Sequence, residues 1–413
     1  MKKQKVKLLV SLMLAAGLAS PLAHATNGYF SDGYGIKAKG MAGVGIALPQ
    51  DSLAAATNPA GMVMVGDRLD IGVDWFKPVR NTELSSAMGP ISGSYSGNGD
   101  SSFLIPELGY NKSLDANSSV GVSVYGNGGM NTNYTDFNTR TGGMMFGQGN
   151  LGVDLSQLFI APTYAVKVNA NNAVGVSLNL AYQMFKADGI QNFAAYSSDP
   201  AHLSNNGYDS STGWGVRIGW TGQVSPAVTL GATYQSKTKM SKFSKYAGLF
   251  AEQGGFDIPS NFGVGIAAKV SDSTTVAADV QQIQYGDIKS ISNTGNVQQP
   301  LGSNGGPGFG WRNMTVVKLG LSHQYNNSLT VRAGYSNGRQ PIPSTETMFN
   351  VLAPGVVQDH VTLGATWTLP NKSELSAAYM HAFKHTVTGE GPTTGFNLNM
   401  YEDSLGLAYG WKL

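Results

Sequence analysis

Along most of this chain apolar residues fall on every second position. Leu69, Ile71, Val73 and Trp75 share one parity, while Asp70, Gly72 and Asp74 hold the other. Val174, Val176, Leu178, Leu180, Tyr182 and Met184 make a longer run against Gly175, Ser177, Asn179, Ala181 and Gln183. The same holds for Trp214, Val216, Ile218 and Trp220, for Leu329, Val331, Ala333 and Tyr335, and for Val361, Leu363, Ala365, Trp367 and Leu369. A period of two is that of a β-strand with two unlike faces. About 14 such segments begin near residues 68, 102, 119, 155, 172, 212, 226, 259, 274, 313, 328, 359, 373 and 401. Ends read from pattern are good to a few residues, and 12 or 16 segments also fit.

Charge decides what the two faces look at. Asp70, Asp74, Arg217 and Arg332 all fall on the minor parity. A soluble sandwich would also alternate, but its outward face would be polar, and here the minor parity is small and mixed. A lipid-facing Arg at mid-membrane costs roughly 2–4 kcal/mol, so charge kept to one parity suits strands standing between lipid and a lumen. Aromatic residues gather near segment ends, where membrane girdles lie. Leu405, Leu407, Tyr409, Trp411 and Leu413 alternate up to the last residue, similar to the closing-strand signal read by the barrel-assembly machinery, with Leu413 where Phe is usual. The prediction is an all-β fold: a 14-stranded antiparallel transmembrane β-barrel over residues 67–413. An even count puts both termini on the periplasmic side. Long connections are expected at about 131–153, 187–211, 240–258, 289–311 and 339–358. Tight turns are expected around Asn169, Asn326-Asn327 and Pro370-Asn371-Lys372.

Composition agrees. Charged residues are 13%, about half the usual share. Glycine is abundant at 54 of 413 residues, and there is no Cys, which excludes disulfides and thiolate metal sites. A net charge of +2 speaks against a nucleic-acid partner. Lys2, Lys3, Lys5 and Lys7 precede an apolar run ending in Ala23-His24-Ala25, the layout of a cleaved signal peptide over 1–25. No other window offers about 18 consecutive apolar residues. His381 and His385, four apart on a strand, and the isolated His323 and His360 form no metal pattern. No local signature marks a nucleophile; neither an enzyme nor a cofactor is expected.

Residues 26–66 do not alternate. They are rich in Gly, Ala and Met, and about 40 residues cannot build a core of their own. The segment is either a flexible tail or a plug folded inside the barrel; a 14-strand barrel has a lumen its own side chains cannot fill, which makes a plug physically reasonable. Asp51 or Ser52 can cap a turn over 53–56; Pro59 then stops it and opens a second short turn.

In this order a signal peptide, a Gly-rich segment ending in Asn58-Pro59-Ala60 and a 14-strand-sized barrel resemble the FadL/TodX family of outer-membrane transporters of long-chain fatty acids and hydrocarbons. Further likenesses are Gly28-Tyr29-Phe30 at the mature N-terminus and "VGVSVYGNGGMNTNYTDF" (120–137) at the third strand. "GWRN" with "KLGLSHQYNNSLTVRAGYS" is similar to the tenth and eleventh strands, and "ELSAAYMHAFK" to the penultimate one. The resemblance implies a monomer in the outer membrane, in contact with lipid and lipopolysaccharide, with a small N-terminal hatch containing short helices. It implies passive uptake of a hydrophobic molecule captured outside, passed to an inner pocket near the N-terminus and released sideways at a kinked third strand. Gly126, Asn127, Gly128 and Gly129 are the candidate kink, since glycines inside a strand weaken the ladder; a hairpin turn is the other reading. Lys186 and Arg312 match the family's carboxylate-binding region, with Lys318 and Arg217 as weaker inward cations. Tyr29, Phe30, Phe185 and Phe193 would line the path. A general porin for polar solutes and a structural or adhesive barrel are the alternatives.

Overall fold

The computed structural model describes residues 27–413; the signal segment read at 1–25 lies outside them. Fourteen strands follow in an antiparallel order: β1 (Arg68–Leu84), β2 (Phe103–Ser113), β3 (Ser118–Asn131), β4 (Gly152–Lys167), β5 (Asn172–Asp188), β6 (Asp209–Ser225), β7 (Val228–Gln235), β8 (Asn261–Ser271), β9 (Thr274–Ile283), β10 (Met314–Gln324), β11 (Leu329–Gly338), β12 (Asp359–Thr368), β13 (Glu374–Val387) and β14 (Phe396–Lys412). Each pairs with its neighbours in sequence. β14 then pairs along the whole of β1, from Arg68 opposite Lys412 to Leu84 opposite Phe396, and the sheet closes. No helix among the described residues is long and apolar enough to cross a membrane; the crossing is made by strands.

The outward parity is the one the pattern predicts. Trp75, Val176, Leu178, Trp214, Ile218, Leu319, Leu363 and Leu407 are exposed on the outer surface, while Asp70, Asp74, Arg217, Asp279 and Lys318 are buried on the inner one. At one end of several strands the apolar residues change sides. Phe76, Leu155, Phe159, Val316, Leu398 and Met400 are buried inside. The lumen is therefore polar towards one end and apolar towards the other.

Connections alternate in length. Residues 85–102, 132–151, 189–208, 236–260, 284–313 and 339–358 cluster at the apolar end, and turns such as 168–171, 226–227 and 272–273 close the other. The connection 85–102 is not among those the pattern predicts to be long. Its hairpin strand Gly93–Ser96 pairs with the end of β1 and carries the alternation beyond the wall.

Residues 27–66 lie within the ring of strands, most of them at its polar end, with Tyr29 and Phe30 reaching the apolar part. Their groups bond to inward side chains all around the wall. Glu107 on β2 accepts from the Gly35 and Ile36 amides at 3.1 and 3.0 Å, and Asp279 on β9 from Gly45 and Ile46 at 2.8 and 3.0 Å. Arg217 on β6 donates to the Thr57 carbonyl at 2.8 Å, and Arg332 on β11 to Gln50 at 2.8 Å. Thr362 on β12 accepts from Ala42 at 2.9 Å, and Lys318 on β10 donates to the Asp32 carbonyl. The segment contains one helical turn, α1 (Ile36–Lys39), and two 3-10 turns, Ala54–Ala56 and Pro59–Met64. The Asp51 carboxylate accepts from the Leu53 amide at 3.0 Å. Asn58 caps the second 3-10 turn through Ala60 at 3.1 Å, with Pro59 in its first position, as a proline with fixed φ and no amide hydrogen favours.

Candidate functional site

The polar end of the lumen is filled by ion pairs, some between plug and wall and some within the wall. Glu374 on β13 meets Lys37 at 2.5 Å, Arg68 at 2.9 Å and Lys412 at 3.1 Å, and Lys39 pairs with Asp74. Burial, and then the Arg68 guanidinium, push the Lys37 ammonium below its ordinary range, against the pull of Asp51 and Glu374. Burial and the neighbouring Asp70 raise the Asp51 carboxyl. Buried charges of this kind are stable only when matched; Lys37 and Lys39 find Glu374 and Asp74 across the plug–wall seam, while the Asp51 carboxylate is held by the Leu53 amide. The inward charges found by parity thus hold the plug.

At the apolar end the long connections enclose a narrow apolar cleft. It is lined by Phe185, Phe193, Leu249, Phe250, Phe309 and Phe349 among others, and its one polar lining side chain is Ser290. The Ser290 hydroxyl donates to the Gly255 carbonyl at 2.5 Å, so it offers no free hydrogen to a guest. Aromatic rings continue from the cleft into the lumen. Phe185 lies 4.6 Å from Phe250, Phe250 4.8 Å from Phe256, and Phe256 6.1 Å from Tyr29, centroid to centroid. Tyr29 in turn contacts Phe30 at 5.4 Å, Tyr285 at 5.2 Å and Trp311 at 6.0 Å.

This path ends against an irregular strand. β3 pairs with β4 with a register shift between Gly126 and Gly128, leaving Asn127 as the extra residue of a bulge. On its other side β3 pairs with β2 only from Ser119–Ser113 to Val124–Leu108. Beyond that point residues 125–131 are buried instead of alternating, and the plug takes the place of β2. The Gly129 amide donates to the Tyr29 carbonyl at 2.9 Å, the Ser31 amide to Asn127 at 3.1 Å, and Phe30 bridges to Gly128. A Cβ at residue 128 would stand 2.0 Å from the Tyr29 carbonyl oxygen, so the approach requires glycine. The Tyr34 hydroxyl donates to the Asn127 carbonyl at 3.2 Å and its ring lies 4.7 Å from that of Tyr125.

The structure brings Phe185 and Phe193 together in the cleft and places Tyr29 and Phe30 one step deeper, beside the bulge. It leaves Lys186 and Arg312 outside the cleft lining. Lys186 lies 3.6 Å from Asp188 and over the Tyr208 ring; Arg312 is exposed, its amide bonded to the Pro341 carbonyl. Asn58, Pro59 and Ala60 sit in the plug, where the Asn58 amide group donates to Ile46 at 2.7 Å and to Trp220 on β6 at 3.0 Å. Sequence reasoning missed Phe250, Phe256, Tyr285, Phe309 and Trp311. All stand in long connections with no periodicity; their only signal is aromatic enrichment in otherwise Gly-, Ser- and Asn-rich loops. Among the described residues no group of three or more His, Asp and Glu could hold a metal ion.

A closed 14-strand barrel, lined by polar groups that grip an internal plug and opening through an apolar cleft, defines a transport barrel of the outer membrane. Residues 19–404 match the family model described as outer membrane protein transport protein (OMPP1/FadL/TodX), and the chain belongs to that family, one of channels and not of enzymes. Solved structures sharing the fold include the Pseudomonas putida toluene transporter TodX, at 19% identity over 94% of this chain and 100% of that one, TM-score 0.71. A Pseudomonas aeruginosa FadL homologue matches at 15% over 93% and 99%, TM-score 0.68. The Ralstonia pickettii toluene transporter TbuX matches at 18% over 92% and 98%, TM-score 0.63. No curated protein sequence matches the chain.

Proposed function

We propose that this protein is a passive channel for small hydrophobic compounds, with an uncharged hydrocarbon as its preferred cargo. The carrying observation is the continuous aromatic path from the loop cleft, through Phe250 and Phe256 to Tyr29 and Phe30, ending where β3 parts from β2. Cargo enters among the long loops on the cell exterior, follows the rings, and leaves sideways into the membrane past Gly126, Asn127, Gly128 and Gly129. Both termini then lie in the periplasm, the plug at 26–66 seals the lumen below the exit, and 1–25 serves as the secretion signal. The barrel acts as a monomer among lipid and lipopolysaccharide, placed there by the barrel-assembly machinery.

Preference for a neutral cargo follows from the lining. A buried carboxylate needs a cation or several donors. Ser290 is already engaged, and Lys186 is shared with Asp188. The toluene transporters among the structural neighbours fit that choice. The test is uptake of labelled toluene and oleate by cells whose only such channel is this one. Saturable toluene entry that survives Lys186→Ala and Arg312→Ala is expected. Oleate entry that these substitutions abolish would favour a fatty-acid channel, and a large steady ionic current in planar bilayers would favour a porin.

A further inference from the structure

We propose that the outward face of the connection 236–260 is a binding site for the phosphate groups of lipopolysaccharide, centred on Lys239 and Lys242. This rests on the orientation in the transport reading above, which puts the long loops on the cell exterior. Four lysines, Lys237, Lys239, Lys242 and Lys245, fall within nine residues here, and all four are exposed. The residues between them go the other way: Thr238, Phe243 and Tyr246 are buried. Phe243 and Tyr246 pack on Phe185 at 5.7 and 4.9 Å, centroid to centroid. The segment is thus rooted in the cleft wall by its rings and turns its ammonium groups outward.

Backbone bonds hold this strip in place. Lys239–Met240 forms a short strand on the loop end of β6, with Met240 opposite Gly213 and Lys239 opposite Trp214. The Ser241 amide donates to the Thr212 carbonyl at 2.8 Å, and Thr238 and Ile258 exchange amide–carbonyl bonds at 3.0 and 3.1 Å. A face already ordered loses little freedom when it binds. Directly opposite residues of paired strands point to the same side, and Trp214 is exposed on the outer wall, so Lys239 stands beside it. Trp214 and Trp220 share the outward parity of β6. They are separated by roughly 20 Å of strand, close to the height of an apolar band between two aromatic girdles. Trp214 therefore marks the headgroup level at the loop end. A lysine at that level meets phosphate and not acyl chain.

Charge matching leaves two of the four lysines unused. Lys237 lies 3.4 Å from Asp257, which also takes the Met240 amide at 2.8 Å. The Lys245 ammonium donates to the Tyr208 carbonyl at 2.7 Å, and its amide to Asp209 at 2.8 Å. Among the described residues Lys239 and Lys242 have neither an ion-pair partner nor a side-chain hydrogen bond. Two unmatched ammonium groups on an ordered face suit a ligand with more than one phosphate, which lysine binds as a compact point charge. The glycolipid of the outer leaflet carries its phosphates at that depth.

The test is native mass spectrometry of the full-length protein in detergent micelles, titrated with purified lipopolysaccharide. The wild type is expected to retain one copy. The double variant Lys239→Ala with Lys242→Ala is expected to bind roughly 30-fold more weakly, as two lysines at an anionic surface imply. Lipopolysaccharide stripped of its phosphates should bind the wild type no better. Heat-modifiable gel migration checks that the barrel is intact. Lys384→Ala, which removes an exposed lysine of β13, should change nothing. Equal binding by wild type and double variant would overturn the proposal, as would binding that survives dephosphorylation. So would an equal loss in Lys384→Ala, or phosphatidylglycerol retained as tightly as lipopolysaccharide, since both mean a general attraction to anions. The orientation is read separately. The chain has no Cys, so Gln298→Cys in the connection 284–313 carries a single thiol, which an impermeant maleimide should label on intact cells. Labelling only from the periplasmic side would overturn the orientation and the transport reading with it. Labelling from outside, with no lipopolysaccharide bound, would overturn the phosphate site alone.

Discussion

Gly128 shows how one missing atom can set a geometry. A side chain there would meet the Tyr29 carbonyl oxygen at 2.0 Å, with the Phe30 Cα at 3.1 Å. Both obstacles are backbone, which cannot rotate away as a side chain can. Gly128→Val is therefore expected to expel residues 27–30 from the bulge while the paired part of the wall, and hence folding, survives. Uptake of the hydrophobic cargo should fall, and the Gly129 amide should lose protection from exchange. Unchanged uptake in a properly inserted variant would mean that the bulge takes no part in passage. The glycine cluster was visible in the sequence as a strand weakness, but a turn fitted it equally well. What distinguishes the two is the partner strand that ends early and the plug that replaces it, both far away in the chain. Asn58 teaches the same lesson. The short turn opening at Pro59 was legible, whereas the bond from Asn58 to Trp220 spans 162 residues and leaves no local mark.

At the scale of elements, the strands were the most legible part, because alternation between lipid and lumen acts on every residue of every strand. The seating of the plug was much less so. The small residues of 26–66 suggested close packing, but the wall answers with glycines of its own. Added Cβ atoms at Gly175, Gly219, Gly231, Gly334 and Gly406 would fall 2.4, 1.9, 2.3, 2.3 and 2.4 Å from plug atoms. Those five glycines come from five different strands and point inward, so part of the unusual glycine content maps the surface on which the plug rests. In sequence they fall on the minor parity and look like ordinary small lumen residues. Gly334→Leu would collide with the backbone of Met41 and Ala42, on the side where Ala42 also bonds to Thr362. The expected result is a barrel that assembles and keeps its heat-modifiable migration, with raised ionic conductance because the plug no longer seats. Wild-type conductance would show that the wall can yield there. The loop cleft was the least legible element. Phe185 and Phe193 were reached through the family resemblance, while Phe250, Phe309 and Phe349 come from three different connections whose meeting no local pattern encodes.

For the whole molecule, the two halves of the lumen answer to different physics. The apolar half is held by ring contacts and resembles the core of a soluble domain placed among the loops. The polar half is held by matched charges: Glu374 with Lys37, Arg68 and Lys412, and Lys39 with Asp74. A charge that loses a partner in a closed core costs several kcal/mol. In an open barrel it need not, because water enters and solvates it. Removing the plug should for that reason leave the wall standing, since every strand keeps its ladder and its lipid-facing side. Deleting residues 26–66 is expected to give a correctly inserted barrel whose lumen fills with water. Conductance in planar bilayers should rise to a steady, porin-like current that increases with salt. Selective toluene uptake should disappear at the same time, because Tyr29 and Phe30 leave with the plug and the ring path then ends in water instead of at the bulge. A deletion that leaves conductance low would show that the loops alone seal the channel and that residues 26–66 serve only the inner pocket. A barrel that fails to assemble would show that the charge matching is needed during folding and not only for closure.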